Sequence, residues 1–171
     1  MRILFFLLFL LHYNCFTQNF ISKTGEITFF SYAPIEDIKA VNKNVSAAFN
    51  SQTNEIVFKL DIINFQFRKK LMQEHFNENY LESDIFPTST FVGKVYNNDS
   101  LSNVKGLLTI HGVTKEIIAF GTFNILDNSI KLSSSFKIKL EDFNVEIPKI
   151  VMYKIAEEIL VDIDMTLLKI L

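Results

Sequence analysis

The sequence is poor in cysteine, since Cys15 is the only one among 171 residues. A disulfide framework and a cysteine metal site each need several cysteines, so neither is available to this chain. A cysteine nucleophile is also excluded if the segment that contains Cys15 is removed, as argued below. An exported domain of this size without disulfides depends on its apolar core. The composition supplies one, because 49% of the residues are hydrophobic and 18 are phenylalanine.

The sequence also lacks a large excess of positive or negative charge. The formal net charge is −2, the chain has no extended basic run, and basic residues rarely alternate with aromatic ones. Nucleic-acid-binding domains usually show such features, so the sequence does not favour a nucleic-acid partner. The length, without a linker or an internal repeat, predicts one folded domain.

Long apolar runs are confined to the amino terminus. The run Ile3–Leu11 follows Arg2 and precedes a polar segment that ends in the small residue Thr17. It is too short to predict a transmembrane helix, and the order of its parts is typical of a secretory signal peptide. We therefore predict that residues 1–17 are a signal peptide and that residues 18–171 form the mature domain, without a transmembrane segment.

This signal peptide predicts a periplasmic or secreted protein. Anchoring as a lipoprotein through Cys15 is the alternative. Asn14 argues against it, because it is a poor fit to the small residue that lipoprotein processing prefers before the cysteine.

Alternation of apolar and polar residues dominates the mature chain. In Glu55–Ile62 every second residue is apolar, and in Ile130–Leu140 the same alternation is interrupted only at Ser134. This period is typical of strands with one buried and one solvent-exposed face. Strands with one solvent-exposed face are typical of antiparallel sheets. The predicted strands are 20–23, 26–33, 40–50, 55–63, 88–96, 103–111, 115–126, 130–140 and 156–169.

Short turn clusters separate these strands. In His111–Lys115, for example, Gly112 can supply the positive φ of a tight hairpin turn. Long antiparallel strands joined by short turns predict an all-β sandwich or closed barrel of about eight strands. A barrel of that size can hold one small ligand or be packed shut by its own side chains.

One segment, Leu71–Leu81, departs from the strand period. Met72, Phe76 and Tyr80 recur at a spacing of four and form one apolar stripe of a helix. Pro87 stops any helix that continues further. We predict a short amphipathic helix, within about residues 69–82, that packs its stripe on the mouth of the barrel as a lid. Gln73, Glu74, Asn77 and Glu78 are expected on its outer face.

Several ordered blocks resemble the YceI-like, polyisoprenoid-binding family, and particularly its secreted members from the Bacteroidetes. The blocks are GEITFFSYAPIEDIKAVNKNVSAAF, MQEHFNENYLESDIFPTSTFVG, GLLTIHGVTKEI and LEDFNVEIP, and together they span about residues 25–168. The resemblance implies a lipocalin-like antiparallel β-barrel. It also implies that an isoprenoid or related long-chain lipid is held inside, in a periplasmic or secreted protein without established catalytic residues.

A long apolar ligand needs an inner wall of apolar side chains. The residues on the buried phase of the strands and of the lid are the expected lining. These candidates are Phe58, Leu60, Ile62, Phe76, Tyr80, Phe91, Leu108, Phe123, Phe136 and Ile138. The alternative is that the same side chains fill a solid core, in which case the protein is an envelope interaction or assembly protein that uses its loops.

Glu74, His75 and Glu78, here called the lid cluster, raise the question of a metal or acid–base site. His75 and Glu78 are three residues apart and can face one metal, but a closed site needs about four ligands. We therefore predict no metal, no cofactor and no catalysis, with a lipid as the only ligand. His111 is assigned to a structural turn, with a polar role as the alternative. The sequence leaves open whether the domain forms a homodimer.

Overall fold

The computed structural model describes residues 18–32, 37–96, 101–146 and 156–170. The predicted signal peptide, residues 1–17 with Cys15, lies outside the described residues. So does Ala33, the predicted end of the second strand.

The described residues form one antiparallel sheet that closes into a barrel. Its strands are β1 (Asn19–Ser31), β2 (Ile38–Asn42), β3 (Val45–Asn50), β4 (Glu55–Asp61), β5 (Gln66–Phe67), β6 (Thr88–Tyr96), β7 (Ser102–Ile110), β8 (Val113–Leu126), β9 (Ser129–Lys139) and β10 (Glu158–Ile170). The strand order is β10-β9-β8-β7-β6-β4-β3-β1, and β1 also pairs with β10, which closes the ring. Strands β2 and β5 extend the sheet beyond β1. The predicted all-β, lipocalin-like antiparallel barrel is confirmed.

Alternation along each strand separates an apolar inside from a wet outside. In β4 every second residue is buried, so that Ile56, Phe58 and Leu60 point into the barrel. Antiparallel neighbours continue the same inner rows, since Phe58 lies opposite Phe91 and Phe91 opposite Leu108. The sequence period therefore fixes which residues line the interior.

Apart from shifts of a few residues at strand ends, two stretches are divided into strands differently from the sequence prediction. The strands predicted at 20–23 and 26–33 are joined in a single strand, β1, which ends at Ser31 and whose register shifts between Ser22 and Thr24. Residues 40–50 are instead split into β2 and β3. The buried Asn42 accounts for the split, because its side chain donates to the Asp61 carbonyl (2.9 Å) and accepts from the Asn44 backbone N–H (2.9 Å).

The helical insertion lies where it was predicted. It consists of α1 (Lys70–His75) followed by one π-helical turn, Phe76–Tyr80. We call Lys70–Tyr80 the lid and the end of the barrel that it covers the lid end. The π-helical turn contains one residue more per hydrogen-bonded ring than an α-helix, as in the bond from the Leu81 N–H to the Phe76 carbonyl (2.9 Å).

The prediction that Asn77 faces outward is wrong, because its side chain is buried. The change of helical period at Phe76 alters which positions face the barrel. Asn77 Nδ2 donates to the Gln73 carbonyl (2.9 Å), and Gln73 is itself half-buried. Gln73 Oε1 accepts from the Phe67 N–H (3.3 Å), which ties the lid to β5.

Candidate lipid-binding cavity

The barrel is hollow. Its interior contains a cavity of about 210 Å³, many times the roughly 10–15 Å³ that one water molecule needs. The cavity runs from beneath the lid, at Phe76 and Tyr80, to Phe123 near the opposite end. None of the side chains that line it, among the residues that the structure describes, carries a charge. Such an interior suits an apolar guest.

Every lining candidate from the sequence lies on this cavity. Strand β4 contributes Phe58 and Leu60, and Ile62 follows it in a 3₁₀ turn. The other walls and the lid contribute the rest: Phe76, Tyr80, Phe91, Leu108, Phe123, Phe136 and Ile138. Direct contact of these residues with a ligand stays a prediction.

Sequence reasoning missed the aromatic residues that meet the lid. Phe29, Phe65 and Phe67 line the cavity and surround the Phe76 ring, with centroid distances of 5.3, 5.6 and 4.9 Å. The signal was present as period two in Ile27–Ser31 and in Phe65–Phe67. We call Phe29, Phe65, Phe67 and Phe76 the aromatic hinge cluster, because their ring contacts pack the lid against the barrel.

The polar groups of the cavity are neutral. Near the lid they include the hydroxyls of Ser31, Ser89 and Tyr80. Within the protein, Ser31 Oγ accepts from the Ala156 N–H (2.8 Å), and Ser89 Oγ donates to the Thr109 carbonyl (2.9 Å). Burial raises the pKa of Tyr80 above its usual value, so this phenol stays neutral at physiological pH. A guest molecule therefore meets hydroxyl groups rather than charges.

The lid cluster lies on the outside. Glu74, His75 and Glu78 are all exposed, and Glu74 approaches Lys70 at 3.8 Å. In the described part of the chain no three histidine, cysteine or acidic residues are grouped so that they could hold a metal ion. The outward positions predicted for Glu74 and Glu78 are thus observed.

His111 joins two segments at the mouth of the barrel. Its backbone and that of Gly112 have positive φ (50° and 72°), as expected for the tight β7–β8 turn. The imidazole Nε2 lies 2.9 Å from Glu82 Oε2, just past the lid, and Nδ1 lies 3.3 Å from the Phe143 carbonyl. Both partners are hydrogen-bond acceptors, so the ring donates to them from whichever nitrogen carries a proton. The histidine thus has a structural polar role.

The wall between β8 and β9 is paired over only part of its length. Pairing extends from Gly121 opposite Ser134 to the hairpin at Leu126 and Ser129. Beyond Gly121 the two strands separate, and the 3₁₀ turn Glu141–Phe143 packs against both. The Phe143 side chain is buried and lines the cavity. On this side of the barrel the hydrogen-bonded ladder between the described strands is therefore incomplete, and the 3₁₀ turn lies beside its unpaired part.

Residues 17–167 match the YceI-like domain family. The chain therefore belongs to this family of β-barrel domains. No curated protein is a significant match to it.

Solved structures share the fold at low sequence identity. BcnA of Burkholderia cenocepacia is 18% identical, with a TM-score of 0.74 over 83% of this chain and 95% of BcnA. A polyisoprenoid binding domain of Saccharophagus degradans, implicated in plant cell wall breakdown, is 15% identical, with a TM-score of 0.76 over 87% and 97% of the two chains. The YceI protein of Campylobacter jejuni is 20% identical, with a TM-score of 0.66 over 79% and 86%.

No helix in the described residues is both long enough and apolar enough to cross a membrane.

Proposed function

We propose that this protein binds a long-chain isoprenoid or a related lipid in the barrel interior and carries it in the cell envelope, without catalysis. The observation that carries the proposal is the continuous, uncharged cavity beneath the lid. Membership of the YceI-like family supports it. So does the description of the Saccharophagus degradans neighbour as a polyisoprenoid binding domain.

The energetics of an apolar guest suit such a site. Moving one CH₂ group from water into an apolar interior contributes about 0.8 kcal/mol, so ten groups contribute about 8 kcal/mol before the costs of association. No charged contact is required for that affinity. A filled barrel that acts only through its loops is the competing function, and the hollow interior argues against it.

A displacement titration tests the proposal. The purified protein is loaded with a fluorescent apolar dye, and geranylgeraniol, a saturated fatty alcohol or a short polar alcohol is added. We expect saturable displacement by both long chains and none by the short alcohol. An absence of saturable binding for any long chain would refute the proposal, and a co-purified protein partner would then favour the interaction function.

A further inference from the structure

The lid end of the barrel carries four strongly exposed apolar side chains. Of the large hydrophobic residues that the structure describes, the four most exposed are Tyr32 (65%), Leu71 (64%), Ile85 (62%) and Ile63 (56%). All four lie around the cavity mouth. Tyr32 directly follows β1, and Leu71 is the second residue of the lid. The segments that contain Ile63 and Ile85 are joined by a hydrogen bond from the Ile62 N–H to the Pro87 carbonyl (2.9 Å).

A basic triplet lies within this ring of apolar side chains. Arg68, Lys69 and Lys70 are all exposed and immediately precede Leu71. The segment 64–71 contains no acidic residue, and Glu74, which approaches Lys70, lies one turn farther along the lid. We call the four apolar residues and the basic triplet the lid rim.

We propose that the lid rim docks on the surface of an anionic lipid bilayer, so that the cavity mouth faces the membrane from which the ligand is taken or to which it is delivered. Exposed apolar residues flanked by basic ones are the composition that binds the interface of an anionic leaflet. The basic side chains would meet the lipid headgroups, while Leu71, Ile63 and Ile85 would enter the boundary of the acyl chains. This inference rests on the proposed function.

The lid rim is placed to couple docking with opening. Phe67 and Met72, on either side of the basic triplet, both line the cavity. Phe67, which belongs to the aromatic hinge cluster, directly precedes Arg68, so a displacement of Arg68–Leu71 on docking would also displace that cluster. A lipid that leaves the membrane would pass the displaced lid without crossing open water.

Vesicle binding tests the proposal. The protein is mixed with vesicles of pure phosphatidylcholine or of phosphatidylcholine mixed with phosphatidylglycerol, and the bound fraction is measured by flotation. We expect binding to the anionic vesicles that weakens as salt is raised, because exposed charges are screened. Equal binding to both vesicle types, or no effect of salt, would overturn the proposal.

Two variants locate the surface. In the first, Arg68, Lys69 and Lys70 become glutamine, and binding to the anionic vesicles should fall about 100-fold, since each basic group near an anionic leaflet contributes a factor of about five. The second is Leu71→Ser, which should weaken binding about tenfold through the loss of apolar insertion. The matched control replaces Lys23, Lys94 and Lys131, which are exposed at the opposite end of the barrel, with glutamine.

The control variant should bind vesicles nearly as the wild type does, and equal losses in the control and the triplet variant would overturn the proposal. Dye displacement by geranylgeraniol, measured on the same samples, separates the two hypotheses. Both variants should keep their ligand affinity, so vesicle binding alone is lost. A dimer that forms without vesicles and dissociates in Leu71→Ser would instead assign the lid rim to self-association and overturn membrane docking.

Discussion

Truncation of Phe76 should release the lid while leaving the barrel folded. The ring stacks on Phe29 at an interplanar angle of 20° and meets Phe65 and Phe67 at steeper angles. A buried aromatic side chain removes about 150–250 Å² from water, and Phe76, which is half-buried, removes about 100 Å² of that. At about 25 cal/mol per Å², Phe76→Ala removes about 2.5 kcal/mol of the free energy that holds the lid closed. The lost ring contacts raise this destabilisation to about 3 kcal/mol.

This destabilisation of the closed lid should appear as more frequent local opening of the lid. A change of about 3 kcal/mol raises the population of the open lid somewhat over 100-fold, up to the limit at which the lid amides lose all protection. Hydrogen exchange measures this equilibrium for the amides of Met72 and Gln73, which donate to the Lys69 carbonyl, and of Leu81, which donates to the Phe76 carbonyl. The amides of β9 and β10 should keep their protection, because the closed ladder does not depend on the lid.

Leu71→Ala is the matched control, because Leu71 lies in the same helix with its side chain 64% exposed. It should leave lid exchange almost unchanged. Unchanged exchange in Phe76→Ala would show that the aromatic hinge cluster does not hold the lid. Faster exchange throughout the barrel would show that Phe76 belongs to the global core.

Four further outcomes are expected. Phe136→Asp should abolish displacement of the dye by geranylgeraniol, whereas Lys131→Asp, which faces outward on the same strand, should not; undiminished binding in the first would place Phe136 off the ligand site. Glutamine at all three positions of the lid cluster should change neither lipid binding nor metal content, and stoichiometric zinc or iron lost in that variant would contradict this. Gly112→Ala should lower the unfolding free energy by about 1–2 kcal/mol, because φ is +72° and a Cβ would lie 2.7 Å from Phe86; urea unfolding with an unchanged midpoint would refute it. The exported protein should begin near Gln18 by intact mass, and an exported form that keeps residues 1–17 would disprove the predicted cleavage.

The sequence was sufficient to predict the barrel wherever a strand alternates strictly. In β4 and β9 successive side chains point to opposite faces of the sheet. A period of two in the sequence therefore predicts both the strand and the side chains that face the interior. For this reason Phe58 and Phe136 could be placed on the cavity before the structure was known. The lid could be predicted in the same way, because a spacing of four contrasts sharply with the strands around it.

The errors lie where tertiary contacts override the local pattern. Asn42 breaks the strand predicted at 40–50 because its amide satisfies the Asp61 carbonyl, 19 residues away. Asn77 points inward because Phe76–Tyr80 form a π-helical turn. That turn depends on the packing of the Phe76 ring against aromatic rings from other elements. Neither contact leaves a trace in the local sequence, and the aromatic hinge cluster likewise joins residues from β1, β5 and the lid.

Native mass spectrometry of the protein purified from the cell envelope tests the central claim most directly. The claim is that the barrel interior holds a long-chain lipid, so the intact protein should carry one non-covalent adduct whose mass and fragmentation are those of an isoprenoid or related lipid. The adduct should be absent from Phe136→Asp and present in Lys131→Asp. A wild-type protein that is folded and free of any lipid adduct, and that takes up none from added geranylgeraniol, would contradict the claim.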